Sequence, residues 1–148
     1  MYSLMIALIM ICDFLTKQWA GGRLKRLGDI PVLSPVLHFT YVENSGIAWG
    51  MLQNGRWVFV GVSVLVVLGI AAFWYKRKPQ NPWLQTGMAF VLGGAAGNLI
   101  DRLFAGYVVD FINLKFISFP VFNIADIFVC VGAVLVGVYY CFLDKKEA

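Results

Sequence analysis

Residues 57–75 read WVFVGVSVLVVLGIAAFWY, a run with no charged side chain and dense in Val, Leu and Phe. A helix that crosses the hydrocarbon core of a bilayer needs about 20 mostly apolar residues. This run meets that need, and its flanks are basic: Arg56 precedes it, and Lys76, Arg77 and Lys78 follow. The rest of the chain agrees. Of 148 residues, 60% are hydrophobic and 14% charged, and the mean hydropathy is +0.77. A soluble domain carries roughly 45–50% and 25%. A chain this small cannot hide so much apolar surface from water, because small domains leave much of their surface exposed. The composition excludes a soluble enzyme, a disordered chain and a nucleic-acid module. The net charge of +4 fits basic residues at water-facing ends and lipid headgroups.

Three further runs are candidate spans: residues 1–20, carrying Asp13 and Lys17; residues 83–102, rich in Gly and Ala; and residues 121–143, with Asn123 and Asp126 near the start. The first is not a cleavable signal peptide, having no basic leader and two charges in its second half. The expectation is an all-α integral membrane protein, one transmembrane domain of four helices. Basic residues crowd the short connection at 76–78 and follow the last span as Lys145 and Lys146. The positive-inside rule therefore places both places, and both termini, in the cytoplasm.

The first connection, residues 21–56, is too long for a turn. Val32 to Val42 is β-branched and aromatic, and Pro31 and Pro35 interrupt any helix. It reads as a small β-like platform on the extracytoplasmic face. Asn44 to Asn54 reads as a short amphipathic helix at the interface between spans 1 and 2. The third connection, Gly106 to Pro120, is partly apolar and reads as dipping toward the membrane surface. Cys12, Cys130 and Cys141 lie in apolar runs with no paired spacing and read as packing residues. One histidine, His38, makes no zinc pattern.

Four of the eight acidic residues, Asp13, Asp101, Asp110 and Asp126, lie within or at the ends of apolar segments. A charge at a helix centre costs ~2.5–3.5 kcal/mol on insertion scales, so its default reading is functional. Asp13 and Lys17 are four apart, on one helix face and in the favourable order for an ion pair. Gly94, Asn98 and Arg102 repeat every four residues, with Asp101 alongside, as a polar strip toward the bundle interior. Gly93 and Gly97 form a small-xxx-small pair that permits close helix packing. Asn123 and Asp126 share a face of the last span. A connection that leaves the membrane and returns can bring Asp110 and Asp126 together. Two close carboxylates share one proton, the working arrangement of aspartic proteases. This chemistry leaves two readings open: intramembrane acid–base hydrolysis, and a small proton or cation transporter or channel.

Five blocks separate them. Asp13-Phe14-Leu15-Thr16-Lys17, Asn44-Ser45-Gly46-Ile47-Ala48-Trp49-Gly50, Gly93-Gly94-Ala95-Ala96-Gly97-Asn98-Leu99-Ile100-Asp101-Arg102, Val108-Val109-Asp110-Phe111-Ile112 and Phe122-Asn123-Ile124-Ala125-Asp126 occur in that order. Together they resemble the signature blocks of bacterial lipoprotein signal peptidase, or signal peptidase II, over nearly the whole chain. The resemblance implies a bacterial inner-membrane aspartic endopeptidase. It would remove the signal peptide from prolipoproteins by cutting before a cysteine that already carries a diacylglyceryl group. It implies Asp110 and Asp126 as the catalytic pair. Asp13, Lys17, Asn44, Gly46, Gly94, Asn98, Asp101, Arg102, Asn123 and Ala125 are implied to support the site or contact substrate. No metal and no cofactor are expected, nor any nucleic-acid partner; the expected partners are the modified prolipoprotein and membrane lipid. A monomer is expected, because the site is complete within one chain, and a globomycin-type inhibitor is implied by resemblance alone. The chain departs from the family pattern at Trp49, where Phe is more usual, and in having little basic leader before the first span.

Overall fold

The computed structural model describes residues 1–46 and 55–144. Helix α1 covers Tyr2–Trp19 and runs without a break through a π-helical turn, Ala20–Leu24, into the short α2, Lys25–Leu27. The helix therefore continues past Ala20, where the sequence reading has the platform begin. Burial explains the extension: Ala20 and Leu24 are fully enclosed and pack with Phe111. Helix α3 spans Arg56–Arg77, α4 spans Pro82–Phe104, and α5 spans Ile124–Val138 and continues as a π turn, Tyr139–Leu143. Their ends follow local chemistry. Asn81 caps α4, its side chain accepting from the Trp83 N–H at 3.0 Å, and Pro82 occupies the first position, where its missing N–H costs nothing. At α5, Asn123 and Asp126 form a reciprocal capping box.

Among the described residues, three helical stretches are long and apolar enough to cross a membrane: Tyr2–Leu27, Arg56–Arg77 and Ile124–Leu143. The protein is thus mostly helical and membrane-embedded in character. Helix α4, although 23 residues long, is diluted by Gly and Ala because it is the central helix, touching α1, α3 and α5. Its glycines are where neighbours come closest. A Cβ on Gly87 would lie 2.9 Å from the Gly132 carbonyl oxygen of α5, and one on Gly93 would lie 3.1 Å from Ile9 of α1. A Cβ on Gly94 would overlap the Ala125 carbonyl oxygen, and one on Gly97 would lie 2.7 Å from Asp13 Oδ2. Here the small-residue spacing sets helix separation, as it does in membrane bundles generally.

The β-like segment is a true sheet. Strands β1 (Asp29–Leu33), β2 (Leu37–Asn44) and β3 (Val108–Leu114) lie antiparallel in that order. Asp29 pairs with Thr40, Val42 with Asp110, and Asn44 with Val108. The third connection, expected to dip toward the membrane, instead supplies β3. Phe122 then bridges back to Ile112, so α5 starts at Ile124 rather than at Val121. The expected interfacial helix falls largely on residues outside those described. The three cysteines lie on exposed helix faces, which corrects their reading as packing residues: in apolar spans the outward face is itself apolar. His38 sits on the sheet, with Nδ1 2.6 Å from Asp29 Oδ2.

Candidate functional site

Five chain segments converge where the sheet meets one end of the bundle. Helix α1 contributes Asp13 and Lys17; α4 contributes Gly94, Asn98, Asp101 and Arg102. The end of β2 contributes Asn44 with Gly46 beyond it, β3 contributes Asp110, and the first turn of α5 contributes Asn123, Ala125 and Asp126. The structure gathers every residue singled out by the sequence at this one place.

Lys17 is the structural hub. It is 4% exposed, and its ammonium sits 2.6 Å from Asp13 Oδ2, 2.7 Å from Asp101 Oδ2 and 2.8 Å from Asn98 Oδ1. The ammonium thus donates to Asp13 and Asn98 and is paired by charge with Asp101, so a buried cation is matched by two carboxylates. Asp13, 2% exposed, uses its other oxygen to accept the Ala125 N–H at 3.0 Å. It ties α1 to the start of α5. Gly94 and Gly97 leave room for that contact.

Around Asp110 and Asp126 three side-chain amides are arranged with one logic. Asn44 donates to Asp110 Oδ2 at 2.7 Å, Asn123 donates to Asp110 Oδ1 at 2.7 Å, and Asn98 donates to Asp126 Oδ1 at 2.8 Å. Each amide is oriented by a donor that claims its carbonyl oxygen. The Gly46 N–H holds Asn44 at 3.0 Å, the Asp126 N–H holds Asn123 at 3.0 Å, and Lys17 holds Asn98. With its oxygen occupied, each amide can only present NH₂ to a carboxylate. The capping box completes the set, since the Asn123 N–H donates to Asp126 Oδ2 at 3.1 Å. Asp126 therefore sits in the first turn of α5, where the helix dipole favours a negative charge.

Asp110, from β3, is 2% exposed. Burial pushes its carboxyl up to about 6; the charge of Asp126 adds to the rise, and the Asn44 and Asn123 amides oppose it. Both carboxylates open on one cavity of about 380 Å³, shared with Asn44, Gly46 and Arg102. Arg102 stacks over Phe59 with 5.4 Å between guanidinium carbon and ring centroid. The cavity's other wall is Phe59, Phe119, Pro120, Val121 and Phe122. Sequence reasoning passed over these apolar residues. In a chain that is apolar nearly everywhere, one more Phe or Val carries no signal; only adjacency to Asn123 and Asp126 could have marked residues 119–122. The geometry permits acid–base chemistry on a ligand that is polar at one point and apolar on either side. Among the described residues, no three His, Cys, Asp or Glu side chains gather as a candidate metal-binding set.

Comparison with known proteins places the chain. The family described as Signal peptidase (SPase) II matches residues 5–142. A protein of Clostridioides difficile (strain 630) named lipoprotein signal peptidase is 38% identical over 147 residues, covering 99% of each chain. One of the same name from Caldanaerobacter subterraneus subsp. tengcongensis is 45% identical over 139 residues, covering 93% of each. A solved chain described as a bacterial membrane enzyme superposes with a TM-score of 0.89 at 29% identity, over 99% of this chain and 90% of that one. With its membrane-helix character and this match along nearly its whole length, the protein belongs to the signal peptidase II family of bacterial membrane peptidases.

Proposed function

We propose that this protein is an intramembrane aspartic endopeptidase that removes signal peptides from diacylglyceryl-modified prolipoproteins, cutting before the lipid-bearing cysteine. The observation that carries the reading is Asp110 and Asp126 on one cavity, bridged by Asn123, with an apolar wall opposite. Two coupled carboxylates share one proton. The ionised one takes a proton from water, and the hydroxide adds to the scissile carbonyl carbon. The protonated one first donates to the carbonyl oxygen. The C–N bond then breaks as the carboxyl that took the water's proton gives it to the departing amine, the other carboxylate takes back the proton from the former carbonyl oxygen, and no covalent intermediate with the enzyme forms. Neither Asp is assigned base or acid. Arg102 and Asn44 line the cavity, where they can hold the peptide near the cleavage point, the guanidinium adding a charge-assisted hydrogen bond; Asn98 acts from behind by holding Asp126. Neither metal nor cofactor enters these steps.

In this reading α4 crosses the membrane with the other three helices as a single transmembrane domain in the inner membrane. Both termini are cytoplasmic, and the sheet lies on the outer face as a platform beside the active site. Substrate enters sideways from lipid, and its acyl chains stay in the bilayer, where burial contributes ~0.8 kcal/mol per CH₂. The enzyme acts as a monomer, and globomycin-type inhibitors occupy the same cavity. The test compares cleavage of a diacylglyceryl-modified precursor with that of the same precursor unmodified, with product masses read directly. The expected result is a mature product beginning at the modified cysteine, from the modified precursor only. Equal cleavage of both precursors, or none by folded protein, would overturn the reading.

A further inference from the structure

A second cavity, about 360 Å³, lies behind the site on the far side of Lys17. Its floor is Lys17 and Asp101, and its walls include Gly22, Tyr41, Ala105 and Val109. The two cavities share no lining residue. Alternation along β3 separates them, because successive side chains of a strand point to opposite faces: Val109 lines the rear cavity and Asp110 the front one. The same division occurs on α4, where Asp101 faces the rear and Arg102 the front.

The rear cavity is polar where the front one is walled by aromatic and prolyl side chains. At its rim Lys25 pairs with Glu43 at 2.6 Å, with both side chains well exposed. At its floor Asp101 is 23% exposed, whereas the Lys17 it contacts is 4% exposed. Asp101 is thus the member of the buried charge cluster that reaches an opening. The π turn Ala20–Leu24 brings Gly21 and Gly22 to this wall, and a Cβ on Gly22 would meet nothing within 4 Å. The space is not closed by packing.

We propose that the rear cavity is an aqueous inlet separate from the substrate cavity, and that Asp101 is a positioning residue acting from it. Water in the inlet solvates the exposed part of Asp101. Asp101 holds Lys17 in place, Lys17 holds the Asn98 carbonyl oxygen, and Asn98 is left with its NH₂ on Asp126. The dyad thereby keeps its geometry when a lipidated substrate fills the front cavity and excludes water there. This inference rests on the dyad reading above, and it adds a role for a cavity that the cleavage steps do not use.

The test uses protein in nanodiscs with Cys12, Cys130 and Cys141 replaced by Ala and Asp126→Asn, so that substrate binds without being cut. Into this background goes either Ala105→Cys, in the rear cavity, or Val121→Cys, in the front. Each is reacted with a charged maleimide, with and without the modified prolipoprotein. Ala105→Cys should label at the same rate in both conditions, while Val121→Cys should be protected by substrate. An unreactive Ala105→Cys, or one protected in parallel with Val121→Cys, would overturn the inlet. An unprotected Val121→Cys would instead overturn the substrate cavity of the proposed function, leaving the inlet to be decided by the Ala105→Cys rates. In otherwise unaltered protein, Asp101→Asn should lower kcat about tenfold, as Lys17 loses one of its two ion-pair partners, at unchanged KM. Asp101→Glu should recover part of it. An unchanged kcat, or an effect confined to KM, would remove Asp101 from the positioning role.

Discussion

At the scale of single residues, the site is built by fixing amides so that carboxylates have no choice of partner. Asn44, Asn98 and Asn123 each have their carbonyl oxygen claimed by another donor, from Gly46, Lys17 and the Asp126 backbone, and each turns its NH₂ to Asp110 or Asp126. Asp110 carries a stability signature of this environment. Its folded pKa of about 6 lies above the ordinary 3.8, so the folded state holds that proton more tightly than the unfolded chain. The resulting stabilisation is complete below the unfolded value and is lost as pH rises through the folded one, on the order of 1–3 kcal/mol in all. Melting temperature should fall between pH 4 and 6.5 in the native protein, and this slope should flatten in Asp110→Asn; identical slopes would contradict the assignment. Lys17 is sensitive in a different way. Removing it leaves Asp13 and Asp101 facing each other across a buried gap, so Lys17→Met should destabilise by about 3–5 kcal/mol. Lys17→Met combined with Asp13→Asn should recover part of that loss in a thermal melt. The Asp13–Lys17 pair was legible from a four-residue spacing. The Lys17–Asn98 contact was not, because nothing in a sequence says which residue 81 positions away will face a given lysine.

Among elements, the helices were readable and one strand was not. Uncharged apolar runs the length of a bilayer announce α3 directly, whereas the starts of α4 and α5 are set by the Asn81 cap with Pro82 and by the Asn123–Asp126 capping box, which an apolar run does not mark. Val108 to Leu114 has strand-forming residues, but its identity as β3 depends on pairing with β2, across more than sixty intervening residues. The extension of α1 past Ala20 was hidden for a related reason: Gly21 and Gly22 look like a stop, and only the enclosure of Leu24 against Phe111 carries the helix on. Helix contact through glycine gives a graded prediction. A Cβ on Gly132 would lie 2.6 Å from the Gly87 carbonyl oxygen, a backbone atom that cannot swing aside. Gly132→Ala should therefore cost about 1–3 kcal/mol, seen as a lower melting temperature. Gly61→Ala on α3, where a Cβ meets nothing within 4 Å, should leave it unchanged or raise it. Equal effects at both positions would mean that α4 and α5 are not held at the separation described.

For the whole molecule, function follows from where polarity is placed in an apolar chain. Among the described residues, the buried charged and amide side chains gather at the junction of bundle and sheet, while the exterior of the helices is largely apolar. The pairing of front and rear cavities across Lys17 could be seen only in three dimensions. The most direct test of the account is the rate at which a diacylglyceryl-modified prolipoprotein is cleaved in nanodiscs by the native protein, Asp110→Asn and Asp126→Asn, compared at temperatures equally far below their melting points. Each substitution should lower the rate by about 10²–10⁴-fold, the contribution of a positioned acid or base, with the protein still folded in the membrane. Near-native cleavage by both variants would contradict a two-carboxylate mechanism.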